Sequence, residues 1–184
     1  MQQYDLPIPE NRIVLVGGGV RSGKSAFALE LAHRLGKRRV FIATATAFDD
    51  EMKSRIERHQ RERRDEFTTV EEPIELSATL DTLTSHDVVV VDCLTLWLSN
   101  LLLHQESVEA ILARVDDVVR ILKKKRWHAV LVTNEVGMSV HPPTPLGRTF
   151  VEVAGWTHQR IARVADEIYL AVVGTTLKIK PPSI

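Results

Sequence analysis

The chain predicts an α/β fold, a mostly parallel sheet with helices on both faces and a C-terminal β-hairpin. Three observations carry that expectation. Val88–Asp92 (VVVVD) and Ala129–Thr133 (AVLVT) are continuous rather than alternating apolar runs, the pattern of strands covered on both sides. Segments with helical spacing separate the strands, so β and α alternate along the chain. An early apolar strand also runs directly into glycines and then into a helical pattern.

After a proline-bearing leader, Met1–Arg12, expected to be partly ordered or frayed, Arg12–Val16 reads as a short buried strand that stops at Gly17, Gly18 and Gly19. Ala28, Leu31, Ala32 and Leu35 then follow at i, i+3, i+4 and i+7, one face of a helix that Gly36 ends. Arg39–Thr44 (RVFIAT) is the second strand. Asp49, Asp50 and Glu51 suit the positive end of a helix dipole, so a helix is expected from about Asp49 to Arg64. The third strand, Val88–Asp92, ends on a carboxylate. Helices at Leu94–Leu103 and Ser107–Lys125 lead to the fourth strand, Ala129–Thr133. A loop with Pro142, Pro143 and Pro145 precedes a helix whose Phe150, Val153, Ala154, Ile161 and Val164 share a face. Glu167–Val173 and Thr176–Lys180, split by Gly174, form the closing hairpin. In an open sheet of this kind ligands bind beyond the carboxyl ends of the strands.

Composition narrows the function classes. With 184 residues, 44% of them hydrophobic, the chain suits one domain spanning 1–184. Twenty-four acidic residues balance twenty-four basic ones, and aromatic residues are few, which argues against nucleic acid as a partner. Cys93 is the single cysteine, so neither an intramolecular disulfide nor a thiolate zinc site is open to it. It reads as a small buried residue rather than a nucleophile. No apolar run approaches the ~18–20 residues of a membrane span, and the leader lacks the features of a signal peptide. A cytoplasmic protein is expected.

Gly18, Gly19, Val20, Arg21, Ser22, Gly23, Lys24 and Ser25 read GGVRSGKS, the G-x-x-x-x-G-K-[ST] phosphate loop, in the strand–loop–helix setting that such a loop requires. The glycines let backbone N–H groups curl around phosphate oxygens, Lys24 supplies a point charge at the β- and γ-phosphates, and Ser25 offers a hydroxyl to Mg²⁺. Asp92, at a strand end that converges on the loop, fits the carboxylate of that metal shell. The fold class is then that of a P-loop NTPase, RecA-like, with ATP or GTP as substrate.

A second anion-binding feature lies in DDEMKSRIERHQRERR. Helical spacing sets Arg55, His59 and Arg63 at i, i+4 and i+8. Two positive neighbours favour neutral imidazole, which is the nucleophilic form, and the guanidiniums suit a polyphosphate.

The chain resembles the bifunctional adenosylcobinamide kinase and adenosylcobinamide-phosphate guanylyltransferases of cobalamin biosynthesis. The resemblance runs nearly end to end. It rests on GGVRSGKS, IATA, DDEMKSRIERHQRER, TTVEEP, VVVDCLTLWLSNLL, VTNEVGMSVHP and GRTFVEVAGWTHQRIARVADEIYLAVVGTTLKIK. It implies two steps. The aminopropanol hydroxyl of adenosylcobinamide is phosphorylated, and GMP from GTP is then transferred to that phosphate, giving adenosylcobinamide-GDP and pyrophosphate.

Within R-I-x-x-H-x-x-x-R, matched by Arg55, Ile56, His59 and Arg63, the resemblance makes His59 the catalytic histidine that carries GMP as a phosphoramidate. His33, His86, His104, His128, His141 and His158 fall outside the motif and read as ordinary surface or structural histidines. Further nucleotide contacts are implied at Thr44, Ala45 and Thr46, at Gln60, Arg61, Glu62 and Arg63, and at Glu71, where a carboxylate could accept from guanine N1–H and N2–H₂. Glu72 is a credible substitute. Glu135 and Arg148, in VTNEVGMSVHPPTPLGR, are polar candidates near the corrinoid, and a homotrimer with active sites near subunit interfaces is expected. A P-loop small-molecule kinase lacking the guanylyltransferase step is the alternative.

Overall fold

The computed structural model describes residues 11–46 and 66–180. The expected helix at Asp49–Arg64 lies outside the described residues, as do all of the leader but its last two positions and His59, Gln60, Arg61, Glu62 and Arg63.

Seven strands form one sheet in the order β3-β2-β4-β5-β1-β6-β7. They are β1 (Ile13–Gly18), β2 (Arg39–Ala43), β3 (Thr68–Glu71), β4 (Val88–Asp92), β5 (His128–Asn134), β6 (Glu167–Val172) and β7 (Thr175–Lys180). All neighbours are parallel except β6 and β7. The expected mostly parallel sheet and closing hairpin are therefore present. The hairpin turns through Val173 and Gly174, both at positive φ (46° and 81°), as a two-residue turn between right-twisted strands requires.

The continuous apolar runs are explained by what covers them. Odd and even residues of the central strands point to opposite faces, and each face has its own core. On one, Val14, Val16, Val88, Val90, Val130 and Val132 pack with Ala28 and Ala32 of α1 (Lys24–Leu35). Those two alanines, fully buried, let the helix lie close to the sheet. On the other face Ile13, Leu15, Val89, Val91 and Leu131 meet α2 (Leu76–Thr82), α3 (Leu94–Leu103), α4 (Val108–Leu122) and α5 (Pro145–Val164). At ~1.5–3 kcal/mol for each large apolar side chain buried, strands with two covered faces hold the sheet centre firmly.

The helix ends follow local chemistry. Ser107 Oγ accepts from Ala110 N at 3.2 Å to start α4. Thr144 Oγ1 accepts from Gly147 N at 3.1 Å, and α5 begins at Pro145, where a missing N–H costs nothing. Expected boundaries move slightly. The first strand runs on to Gly18, α4 stops at Leu122, and Pro145 belongs to the helix rather than to the loop.

Two elements go beyond the sequence expectation. β3 is a four-residue edge strand with three exposed positions, and α2 buries only Leu76 and Leu80, so neither carries a periodic apolar signal. Glu72 braces the turn that leads into α2. Its Oε1 accepts from Ile74 N and Glu75 N (2.9 and 2.7 Å), and its Oε2 accepts from Thr79 Oγ1 at 3.1 Å.

Candidate functional site

The carboxyl ends of β1, β2, β3, β4 and β5 bring the predicted residues to one edge of the sheet. Gly18 pairs with Asn134, Ala43 lies between Glu71 and Asp92, and Asp92 is opposite Val132. β5 separates the phosphate-loop strand from the strand that ends on Asp92.

The loop residues Gly18–Ser25 connect β1 to α1 as anticipated. Gly18 lies where a Cβ would stand 2.6 Å from both Ala171 O and Ser22 Oγ, so only glycine fits. Gly23 has φ 94° and starts α1, which has no side-chain cap. That leaves the helix N-terminus suited to a phosphate. The Lys24 ammonium is buried and donates to Gly19 O at 3.0 Å across the loop, and Ser22 N–H donates to the same carbonyl at 3.2 Å. Ser22 Oγ is buried with no hydrogen-bond partner among the described residues, a polar atom that a phosphate oxygen would satisfy. Arg21 is exposed and held at φ 56°, and Val20 projects into solvent. From the far end of the chain, Gly174 N–H donates to Ser22 O at 3.1 Å, and Gly174 Cα lies 3.4 Å from where a Gly23 Cβ would be.

Ser25, in the first turn of α1, and Asp92, at the end of β4, are half-buried oxygen donors. Among the described residues no cluster of three or more His, Cys, Asp or Glu forms a metal cage. A hydroxyl and one carboxylate, completed by phosphate oxygens and water, is nevertheless a donor set that suits Mg²⁺, which rarely takes an all-protein cage.

Thr44 is fully buried, and its polar atoms are engaged inside the fold. Its Oγ1 donates to Cys93 O at 2.7 Å and accepts from Cys93 N at 2.9 Å, while its carbonyl accepts from Asn100 Nδ2 at 2.8 Å. Of the three expected contacts there, Ala45 is half-buried and Thr46 exposed. Glu71 is exposed at the end of β3. Glu72 has its carboxylate committed to α2, which gives it a structural role in place of the nucleotide contact considered for it. Arg148 likewise donates to Pro142 O and Pro143 O at 3.3 and 2.9 Å and braces the proline loop. Cys93 is an inert thiol, pushed up to about 11 by burial and by the negative charge of Asp92.

Sequence reasoning missed the polar lattice behind these ends. Asn100, buried in α3, donates to Thr44 O and to Pro73 O (2.8 and 3.0 Å), joining β2 to the segment before α2. Asn134 Nδ2 donates to Thr95 Oγ1 at 3.0 Å, joining β5 to α3. A buried asparagine in an apolar helix was the available signal, because such a group needs partners. Asn100→Leu strands two carbonyls, so it is expected to cost about 1–3 kcal/mol of stability, seen as a lower thermal midpoint, and to weaken nucleotide binding measured by calorimetry.

Comparison with known proteins agrees with this geometry. The chain is 39% identical over 167 residues to the bifunctional adenosylcobalamin biosynthesis protein CobP of Pseudomonas aeruginosa, covering 90% of this chain and 96% of that one. It is 35% identical over 181 residues to the bifunctional adenosylcobalamin biosynthesis protein CobU of Escherichia coli K12, covering 91% and 99%. Among solved structures, a KaiC-like protein, PH0186, from Pyrococcus horikoshii superposes with TM-score 0.50 at 17% identity, covering 88% of this chain and 71% of that one. The RadB recombinase does so with TM-score 0.50 at 16% identity, covering 86% and 73%. These two are likenesses of fold alone, and they agree with the P-loop NTPase class. Residues 14–179 match the family model described as cobinamide kinase / cobinamide phosphate guanyltransferase, and the chain, with its phosphate loop at the carboxyl edge of a parallel sheet, belongs to that family.

Proposed function

We propose that this chain phosphorylates adenosylcobinamide with ATP or GTP and then transfers GMP from GTP to the resulting phosphate, giving adenosylcobinamide-GDP and pyrophosphate. The observation that carries the reading is the family match across residues 14–179, in a chain whose phosphate loop opens α1 with buried Lys24. The same match does not favour the kinase-only alternative.

In this reading residues Gly18–Ser25 cradle the triphosphate, with Lys24 as the cation that offsets charge developing on the transferred phosphoryl group. Ser25 and Asp92 would hold Mg²⁺, which would supply positive charge against the negative charge of the phosphates. Ala45, Thr46 and Glu71 contribute nucleotide contacts beyond the loop, and Thr44, buried and paired with Cys93, organises the backbone behind them. Gln60, Arg61, Glu62 and Arg63 serve the guanylyl step beside His59, the proposed nucleophile. Splitting GMP transfer through a histidine replaces one hard displacement by two easier ones.

Residues 1–184 act as a single nucleotide-binding domain, assembled as a homotrimer on the strength of the resemblance. A cytoplasmic location is supported by the lone buried cysteine. Among the described residues no helix is long and apolar enough to cross a membrane.

The test supplies purified protein with Mg²⁺, adenosylcobinamide and either γ- or α-labelled GTP. The γ label is expected on the acceptor as its phosphate ester, and the α label first on the chain and then in adenosylcobinamide-GDP. Transfer of γ label with no α label on chain or product would leave only the kinase.

A further inference from the structure

Beside the phosphate loop lies a cavity of about 340 Å³ between the loop, the segment after β5 and the hairpin turn. Its walls are largely apolar, from Val20, Met138, Leu170 and Val173, and Glu135 is the one carboxylate among the described residues that line it. Val20, Met138 and Val173 are 75%, 80% and 90% exposed, an apolar rim placed against a phosphate site. Such a rim suits a bulky acceptor with an apolar body. The volume itself takes an alcohol arm of a few carbons, not a macrocycle.

Glu135 is tied to the phosphate loop through its backbone and steadied on one carboxylate oxygen. Its backbone N–H donates to Gly18 O at 3.0 Å, so the first glycine of the loop sets its position. Its Oε1 accepts from Gly137 N–H at 2.7 Å, and its Oε2 stands 4.0 Å from His158 Nδ1. His158 Nε2 is 2.7 Å from Thr133 Oγ1. Burial lowers the His158 pKa against the opposing pull of Glu135, which favours the neutral imidazole on that side of the carboxylate.

We propose that this cavity receives the hydroxyl arm of the acceptor and that Glu135 is the base that takes the hydroxyl proton during phosphoryl transfer. The assignment rests on the kinase reading above. As the acceptor oxygen bonds to the γ-phosphorus, its proton passes to the Glu135 carboxylate. The bond from that phosphorus to the β–γ bridging oxygen breaks, and the nucleoside diphosphate leaves with the electron pair. Protein kinases place an aspartate in the same relation to a substrate hydroxyl.

Glu135→Gln tests this cleanly, because the amide oxygen can still accept from Gly137 N–H. With saturating nucleotide and adenosylcobinamide, kcat for phosphorylation is expected to fall by about 10²–10⁴-fold. Glu135→Asp, a carboxylate on a shorter arm, is expected to recover part of it. Self-labelling of the chain by α-labelled GTP is expected to stay within about threefold of wild type, since no alcohol is deprotonated in that step. Phosphorylation by Glu135→Gln within about threefold of wild type would overturn the assignment. Loss of phosphorylation and self-labelling together would overturn it too, because a base for the alcohol has no part in labelling the chain. Failure of wild type to phosphorylate the acceptor at all would instead overturn the kinase reading, and this assignment with it.

Discussion

Replacing His59 with alanine is expected to abolish retention of the α-phosphate of GTP on the denatured chain, a fall of at least about a thousandfold, while phosphorylation of adenosylcobinamide survives. The expectation follows from charge and chemistry in the sequence. At helical spacing Arg55 and Arg63 flank His59, and two guanidiniums disfavour the imidazolium. Neutral imidazole can then attack the α-phosphorus, forming a P–N bond as the bond to pyrophosphate breaks. A phosphoramidate is labile in acid and survives base, so the label should vanish on brief acid treatment. The γ label should never be retained. Survival of acid-labile α label in His59→Ala would reject this residue as nucleophile. The kinase step should be spared, because it uses the phosphate loop rather than a covalent histidine.

The second large effect is expected at Lys24. Lys24→Ala should lower kcat/KM for the phosphorylation step by about 10³-fold or more, with most of the loss in kcat. Lys24 is only 6% exposed and its ammonium donates to Gly19 O from within the loop, which in the proposed reading holds it close to where phosphate charge develops. Lys24→Arg should not rescue, since a planar guanidinium cannot occupy a site shaped for a compact ammonium. Steady-state kinetics on both variants, beside a thermal midpoint to check folding, makes the measurement. Near-wild-type turnover in Lys24→Ala would remove the loop lysine from the chemistry.

Sequence and structure agree most where one physical demand dominates. The runs VVVVD and AVLVT were legible as doubly covered strands, because short β-branched runs suit a parallel sheet that buries consecutive side chains on both faces. The phosphate loop was equally legible, since its glycines are imposed by close backbone approach at Gly18 and by positive φ at Gly23. The edge strand Thr68–Glu71 and the short helix Leu76–Thr82 were not. Their stability comes from pairing with the neighbouring strand β2 and from the Glu72 carboxylate in the turn before the helix, partners set by the tertiary fold rather than by local pattern.

The same limit applied to side chains at the site. Thr44 was implied as a contact by the family resemblance, but its inward turn toward Cys93 depends on β4 lying alongside. Asn100 carried no motif at all, yet it holds the backbone of two distant segments together.

The contact between Gly174 and the phosphate loop has a consequence for how this fold can change. The turn backbone at Gly174 packs against Gly23, where a Cβ would stand 3.4 Å from Gly174 Cα, and a backbone hydrogen bond from Gly174 to Ser22 latches the pair. The hairpin is thus a keystone for the loop's curvature, although the two lie at opposite ends of the chain. Lengthening its turn, or grafting a different C-terminal strand onto this sheet, would reshape the phosphate cradle without altering one residue of GGVRSGKS. A phosphate loop copied by motif alone into another scaffold would carry its letters but not the buttress that sets its form.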